Sequence, residues 1–146
     1  MEKPITEAER LARAYLVALQ AKDKQGILDI ITDDFELQVP FNCSGTNDGS
    51  DNWIGIEKAR ENYATTFKKI AVLVYTDLEY SAGADPSIAF AEGRGVMKMA
   101  TGRAYGNSYI FRFDTVGGKI KRIREWANPV TAAVSFGLPL PIVEPV

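Results

Sequence analysis

Glu125 stands in the run Gly117-Gly118-Lys119-Ile120-Lys121-Arg122-Ile123-Arg124-Glu125-Trp126-Ala127-Asn128-Pro129, which reads as a tight turn, a strand bearing one carboxylate, and a helix start. Side chains alternate across a strand, so a core-facing Ile123 brings Glu125 inward with it and turns Arg122, Arg124 and Trp126 outward. A carboxyl aimed at an apolar interior loses hydration, and its pKa rises toward the range where it takes a proton from a carbon next to a carbonyl or gives one to a leaving hydroxyl. The other reading of the position is structural, a carboxylate paired with an arginine or satisfied by Tyr109.

The remaining chemistry is narrow. No histidine is present, which excludes serine-histidine and cysteine-histidine mechanisms and removes the commonest transition-metal ligand. Proton transfer then falls to a carboxyl, a tyrosine, a lysine or an ordered water. Cys43 is the only cysteine, so no internal disulfide forms. It is expected as an inert small residue near a pocket mouth. Neither a cofactor nor a metal is expected. The Asn47-Asp48-Gly49-Ser50-Asp51-Asn52 run fails the calcium-loop spacing and lacks its bidentate glutamate, so it reads as a solvated loop or lid. Gly93-Arg94-Gly95 interrupts a strand and opens no helix, which favours a bulge over a nucleotide loop.

The elements that must position these groups follow from periodicity. Thr6 with Glu9 makes a capping box before Ala8, Leu11, Ala12, Tyr15, Ala18 and Leu19 at helical spacing. A second helix is expected from about Lys24 to Ile31, capped by Asp23 and broken by Thr32-Asp33-Asp34. Phe35, Leu37, Val39 and Phe41 alternate as a strand whose Pro40 places it near an edge or an end. Residues 42–52 read as a loop. Trp53, just after it, either closes over a ligand or anchors the loop to a third helix, which begins near Gly55 and carries Ile56, Ala59, Tyr63, Phe67 and Ile70 on one face.

Four strands are then expected, over 72–81, 88–99, 107–114 and 119–127, with short connections that imply an antiparallel meander. Asn107, Tyr109, Phe111 and Phe113 share one face of the third of these. Gly93, Gly95, Met97 and Met99 share one face of the second. Such stripes are commonly plain core, but where a curved sheet closes under helices, core and pocket wall are continuous. Tyr109 and Asn107 are the members able to hydrogen-bond a substrate oxygen. Asn128, Pro129 and Gly137 have the types of an N-cap, a first helical position and a C′ residue, and Pro139, Pro141 and Pro145 suggest an extended arm beyond.

Helices first and antiparallel strands afterwards give an α+β fold, expected as a single domain over 1–146. With 17 basic and 19 acidic residues and no basic run, the chain has no electrostatic footprint for nucleic acid. Its longest apolar stretches, such as 70–75, are far short of a bilayer span. The N-terminus has no continuous apolar signal region, and a cytoplasmic location is expected.

The element order resembles the nuclear transport factor 2-like (cystatin-like) cone, the superfamily that also holds ketosteroid isomerase and the SnoaL-like polyketide cyclases. Asp85-Pro86-Ser87, Phe90-Ala91-Glu92-Gly93-Arg94-Gly95, Tyr105-Gly106-Asn107-Ser108-Tyr109, the 118–129 run and Phe136-Gly137-Leu138-Pro139-Leu140-Pro141 resemble, in order and spacing, the phenazine-biosynthesis A and B proteins. That resemblance implies an acid-base role for Glu125 in a pocket. Those proteins also use a pocket histidine, which this chain lacks. Members of the superfamily commonly pair through the outer sheet face, so the resemblance implies a homodimer through the face that includes Trp126.

The expected function is cofactor-free acid-base catalysis (isomerisation, cyclisation or condensation) on a small cyclic or polyketide-like carbonyl compound. Glu125 is the catalytic candidate, and Tyr109, Asn107, Met97, Phe111 and Trp53 are the substrate-binding candidates. The alternative is a non-catalytic dimeric domain that binds a small apolar ligand in the cone. A structural dimer with no real cavity is the third reading.

Overall fold

The structure is a computed structural model that describes residues 3–140 and 144–146. Its elements run α1 (Glu7–Gln20), α2 (Lys24–Leu28), β1 (Ile31–Val39), β2 (Asp51–Ile54), α3 (Ile56–Lys69), β3 (Ile70–Ala82), β4 (Ile88–Met99), β5 (Ala104–Val116), β6 (Lys119–Ala127) and α4 (Pro129–Phe136). The strands form one sheet in the order β2-β1-β6-β5-β4-β3, antiparallel throughout except where β1 lies parallel to β6. This is an α+β fold, with helices gathered on one face of a mainly antiparallel sheet.

Thr6 caps α1 by accepting from the Glu9 backbone N–H at 3.1 Å. The apolar stripe of α1 is buried against the sheet, as its spacing predicts. Asp23 caps α2 through the Gly26 N–H, but this helix ends at Leu28 and does not reach Ile31. The chain turns into β1 at Ile31, and Thr32-Asp33-Asp34 lies inside that strand. These residues occupy the irregular stretch of the β1–β6 register between Ile31 and Glu36, so a polar cluster read as a helix breaker is a strand irregularity.

Strand β1 is not an edge. Pro40 falls just past its last residue, where no ladder N–H is required. The edge is β2, a short strand inside and beyond the expected loop, held by the pairs Leu37 with Trp53 and Val39 with Asp51. The strands expected over 88–99 and 119–127 have those bounds, while β3 and β5 extend further at both ends. The irregularity near the glycine pair lies in β3, not in β4: it falls between Thr76 and Glu79, where Asp77 has φ 55°, while Gly93-Arg94-Gly95 pairs with β5 without a break. After α4, residues 138–140 have no regular structure, and Pro141 lies outside the described residues.

Lys22 joins two layers. It follows α1 in the left-handed region, with φ 54°, and its ammonium donates to the carbonyls of Phe67 (3.2 Å), Ile70 and Ala71 (3.0 Å), where α3 passes into β3. The last carbonyls of a helix have no intrahelical donor, so this side chain supplies one. Lys22→Met keeps the aliphatic stem and removes the donor; it is expected to lower stability by about 1 kcal/mol in urea titrations without changing the m-value.

Candidate active site

The inward face of the sheet and the helices above it enclose a cavity of about 410 Å³. Strand parity builds one wall. Ile123 is fully buried, and Glu125, two residues on, faces the cavity from β6. Beside it on β5 stand Tyr105 and Tyr109, on β4 Met97 and Met99, and on β3 Leu73 and Tyr75. Helical spacing supplies Tyr15 from α1 and Tyr63 from α3, and Trp53 closes the side from β2. Five of the six tyrosines therefore line one cavity.

The tyrosines are mutually ordered. Tyr15 and Tyr63 share a hydroxyl-hydroxyl hydrogen bond of 2.8 Å, and the Tyr75 ring meets the Tyr109 ring edge-on at 5.3 Å between centroids. Tyr109 donates to the Tyr105 hydroxyl at 3.2 Å. Burial pushes the Tyr15, Tyr63, Tyr75 and Tyr109 hydroxyls well above the usual phenol range, and the Glu125 charge raises each further. These groups stay protonated near neutrality and serve as donors.

Among the described residues no hydrogen bond or ion pair reaches the Glu125 carboxyl. Its side chain is half-buried and faces the cavity, and the protein packed around it strips away much of its hydration. Desolvation raises its pKa from 4.5 to about 7. A carboxyl that titrates near neutrality inside a cavity can both take and give a proton at working pH. Arg122 and Arg124 lie on the opposite face of β6, where Arg122 pairs with Asp114 at 3.3 Å. The structural alternative, in which an arginine or Tyr109 satisfies Glu125, is absent from this arrangement.

The sequence candidates divide. Glu125, Tyr109, Met97 and Trp53 line the cavity; Asn107 and Phe111 do not. Phe111 is fully buried below the wall, stacked with Tyr109 at 5.7 Å and edge-on to Tyr75 at 5.6 Å. Asn107 shares their strand face but sits past the last β5–β6 pair, Tyr109 with Ala127, where its amide reaches the backbone of Asn128. Tyr15, Tyr63, Tyr75 and Tyr105 join the cavity wall beyond the sequence candidates. The available signal was their position on inward-facing stripes: Tyr75 has the parity of Leu73, and Tyr105 that of Asn107.

Phe41, Asn42, Cys43, Asp51, Lys69, Pro129, Ala132 and Phe136 also line the cavity. Cys43 donates weakly to the Pro129 carbonyl at 3.4 Å. Among the described residues, no group of three or more acidic or cysteine side chains is close enough to hold a metal ion. No helix among them is long and apolar enough to cross a membrane.

A family model described as a SnoaL-like domain matches residues 12–123 and ends just before Glu125. Among solved structures, a phenazine biosynthesis-related protein from Pseudomonas aeruginosa superposes with a TM-score of 0.76 at 20% identity, over 99% of this chain and 91% of that one. A protein from Pseudomonas putida KT2440, described as a candidate polyketide cyclase, gives 0.75 at 20% identity over 90% and 98%. An NTF2-like protein from Burkholderia xenovorans LB400 gives 0.72 at 16% over 88% and 95%. Identities this low carry the fold and nothing finer. No curated protein matches the chain.

Proposed function

Because the chain belongs to the SnoaL-like domain family, we propose that it is a cofactor-free acid-base enzyme acting on a small cyclic or polyketide-like carbonyl compound, with Glu125 as the general acid-base group. The observation that carries this reading is a carboxyl with no hydrogen-bond or ion-pair partner among the described residues, titrating near 7 in a cavity lined largely by aromatic and aliphatic side chains, with five tyrosines among them. Glu125 takes a proton from the carbon next to the substrate carbonyl. The C–H electron pair becomes the enolate π-bond and charge moves onto oxygen, where a tyrosine hydroxyl donates to it. Return of the proton to another carbon isomerises the compound; attack of the enolate carbon on an electrophile within or beyond the molecule cyclises or condenses it.

The test needs no knowledge of the natural substrate. Small cyclic ketones such as 1-indanone are incubated with the protein in D2O, and loss of the α-proton signal is followed by NMR. Exchange above the buffer rate, removed by Glu125→Gln, is the expected result. A panel in which no ketone exchanges faster with protein than without it would sink the catalytic reading and leave the ligand-binding alternative.

The outer sheet face supports the homodimer. Val74 and Val96 are cross-strand partners exposed at 39% and 57%, and Ile110, exposed at 43%, pairs with Trp126. An apolar strip of this kind on a sheet calls for a partner. Sedimentation velocity is expected to find a dimer that Val96→Glu converts to monomer; a wild-type monomer at 100 μM contradicts it.

A further inference from the structure

Asn107 is the one buried polar residue among the described core positions, and each of its amide atoms is committed. Its Oδ1 accepts from the Ser108 N–H at 2.9 Å and the Asn128 N–H at 3.0 Å, which fixes the amide orientation because only the oxygen can accept from two N–H groups. Its Nδ2 must therefore donate, and does so to the Asn128 carbonyl at 3.0 Å and the Tyr105 hydroxyl at 2.9 Å. The same hydroxyl also accepts from Tyr109 at 3.2 Å. A phenol oxygen has two acceptor sites and one proton. Both acceptor sites of Tyr105 are filled, and among the described residues its proton has no acceptor.

We infer that Asn107 is a positioning residue that forces the Tyr105 hydroxyl to act only as a donor into the cavity, so that the site selects ligands presenting an acceptor oxygen, such as a ketone, over isosteric hydrocarbons. The inference rests on the reading of the cavity as the ligand site. Donation from Asn107 and Tyr109 onto Tyr105 polarises the remaining O–H and strengthens the bond it makes. Asn107 also grips Asn128, the N-cap of α4, whose own Oδ1 accepts from the Val130 and Thr131 N–H groups. One side chain thus touches both the Tyr105 hydroxyl and the N-cap of α4, a helix whose residues Pro129, Ala132 and Phe136 line the cavity.

The isosteric change Asn107→Asp tests this at pH 8.5, above the ordinary carboxylate range. It keeps the oxygen that accepts from Ser108 and Asn128 and replaces the donor with a second acceptor, so Tyr105 turns its proton toward Asp and away from the cavity. The readout is the affinity ratio for 1-indanone over indane, measured by NMR titration of the full chain. A purely structural lesion weakens both probes and leaves the ratio in place. The expected wild-type preference for the ketone is about tenfold, the size of one net hydrogen bond, falling to about onefold in Asn107→Asp. Tyr105→Phe keeps the Asn107 grip on Asn128 and is expected to lose the preference equally, with no further loss when the two changes are combined. A wild type that binds the two probes alike or binds neither, an Asn107→Asp protein that keeps the preference, or a Tyr105→Phe protein that keeps it overturns the inference. A wild type that prefers the ketone but does not exchange its α-protons sinks the catalytic reading alone, which separates the two failures.

Discussion

Glu125→Gln is expected to slow α-proton exchange on a cyclic ketone by roughly 10²–10⁴-fold, the usual range for removing a positioned general base, while ketone affinity changes by less than about threefold. Glutamine has the shape of protonated glutamate, and Glu125 makes no hydrogen bond to a neighbouring residue that the change would break. The pH profile is the more demanding part. The carboxylate is the active form for proton abstraction, so the wild-type rate should climb with pH through a midpoint near 7, set by the desolvated carboxyl. Solvent catalysis remains in the variant and carries no such midpoint. A wild-type profile flat between pH 5 and 9 would contradict the assignment even if the variant were slow.

The same shift has a signed effect on stability. In the unfolded chain Glu125 titrates near 4.5; in the fold it titrates near 7, because burial disfavours the charge. Between those values the folded protein holds a proton that the unfolded chain has released, so stability falls as pH rises through this window and levels off above 7. A carboxyl moved from 4.5 to about 7 loses on the order of 3 kcal/mol across this window. Glutamine cannot ionise. Glu125→Gln should therefore match the wild type below pH 4.5 and exceed it at pH 8 by up to about 3 kcal/mol, a gain of several degrees in Tm for a chain of this length. A variant less stable than the wild type at pH 8 would mean that the Glu125 charge is favourable in the fold, as in the structural reading of this carboxylate. Loss of activity together with gain of stability is the signature of a functional group held at a cost.

How much of this was legible in the sequence depended on how local the determining physics is. The parity linking Ile123 to Glu125 is fixed by one strand, and the caps at Thr6, Asp23 and Asn128 depend on three or four neighbouring residues; each is where its pattern places it. Strand β2 was hidden because Asp51 and Asn52 are poor strand formers, and only pairing with β1 makes them one. The Thr32-Asp33-Asp34 segment has the composition of a helix breaker for the same reason: its strand conformation is set by the long-range pairing of β1 with β6. Within the site, parity put Asn107, Tyr109 and Phe111 on one face but could not say how far the cavity extends along β5. Phe111 falls below its floor, and Asn107 lies where the β5–β6 ladder stops and α4 begins. Tyr15 and Tyr63 meet across 48 residues of sequence, so neither residue's own helix reveals the contact.

Gly95 gives a case in which local propensity and packing predict opposite signs. It lies inside β4, pairing with Tyr75 on one side and Asn107 on the other, and glycine there weakens a strand by up to about 1 kcal/mol relative to a β-branched residue. On propensity alone Gly95→Val should stabilise. A Cβ at this position, however, would stand 2.7 Å from Tyr109 Cε2 and 3.0 Å from Met97 Cε. The Tyr109 ring has little room to yield, because Tyr75 meets it edge-on, Phe111 stacks on it and its hydroxyl is tied to Tyr105. Overpacking of a closed core costs about 1–3 kcal/mol, and a confined aromatic ring places this site toward the upper end. Packing wins: Gly95→Val should lose about 2 kcal/mol in denaturant titrations and also displace Tyr109 into the ligand space, weakening ketone binding. Shortening the opposing side chain separates the two causes. In a Tyr109→Leu background the ring clash is gone, only the flexible end of Met97 has to give, and propensity remains, so the same substitution should be close to neutral, a coupling of about 2 kcal/mol between the two positions. A Gly95→Val cost that is the same in both backgrounds would show that the glycine serves the backbone of β4 and not the Tyr109 ring.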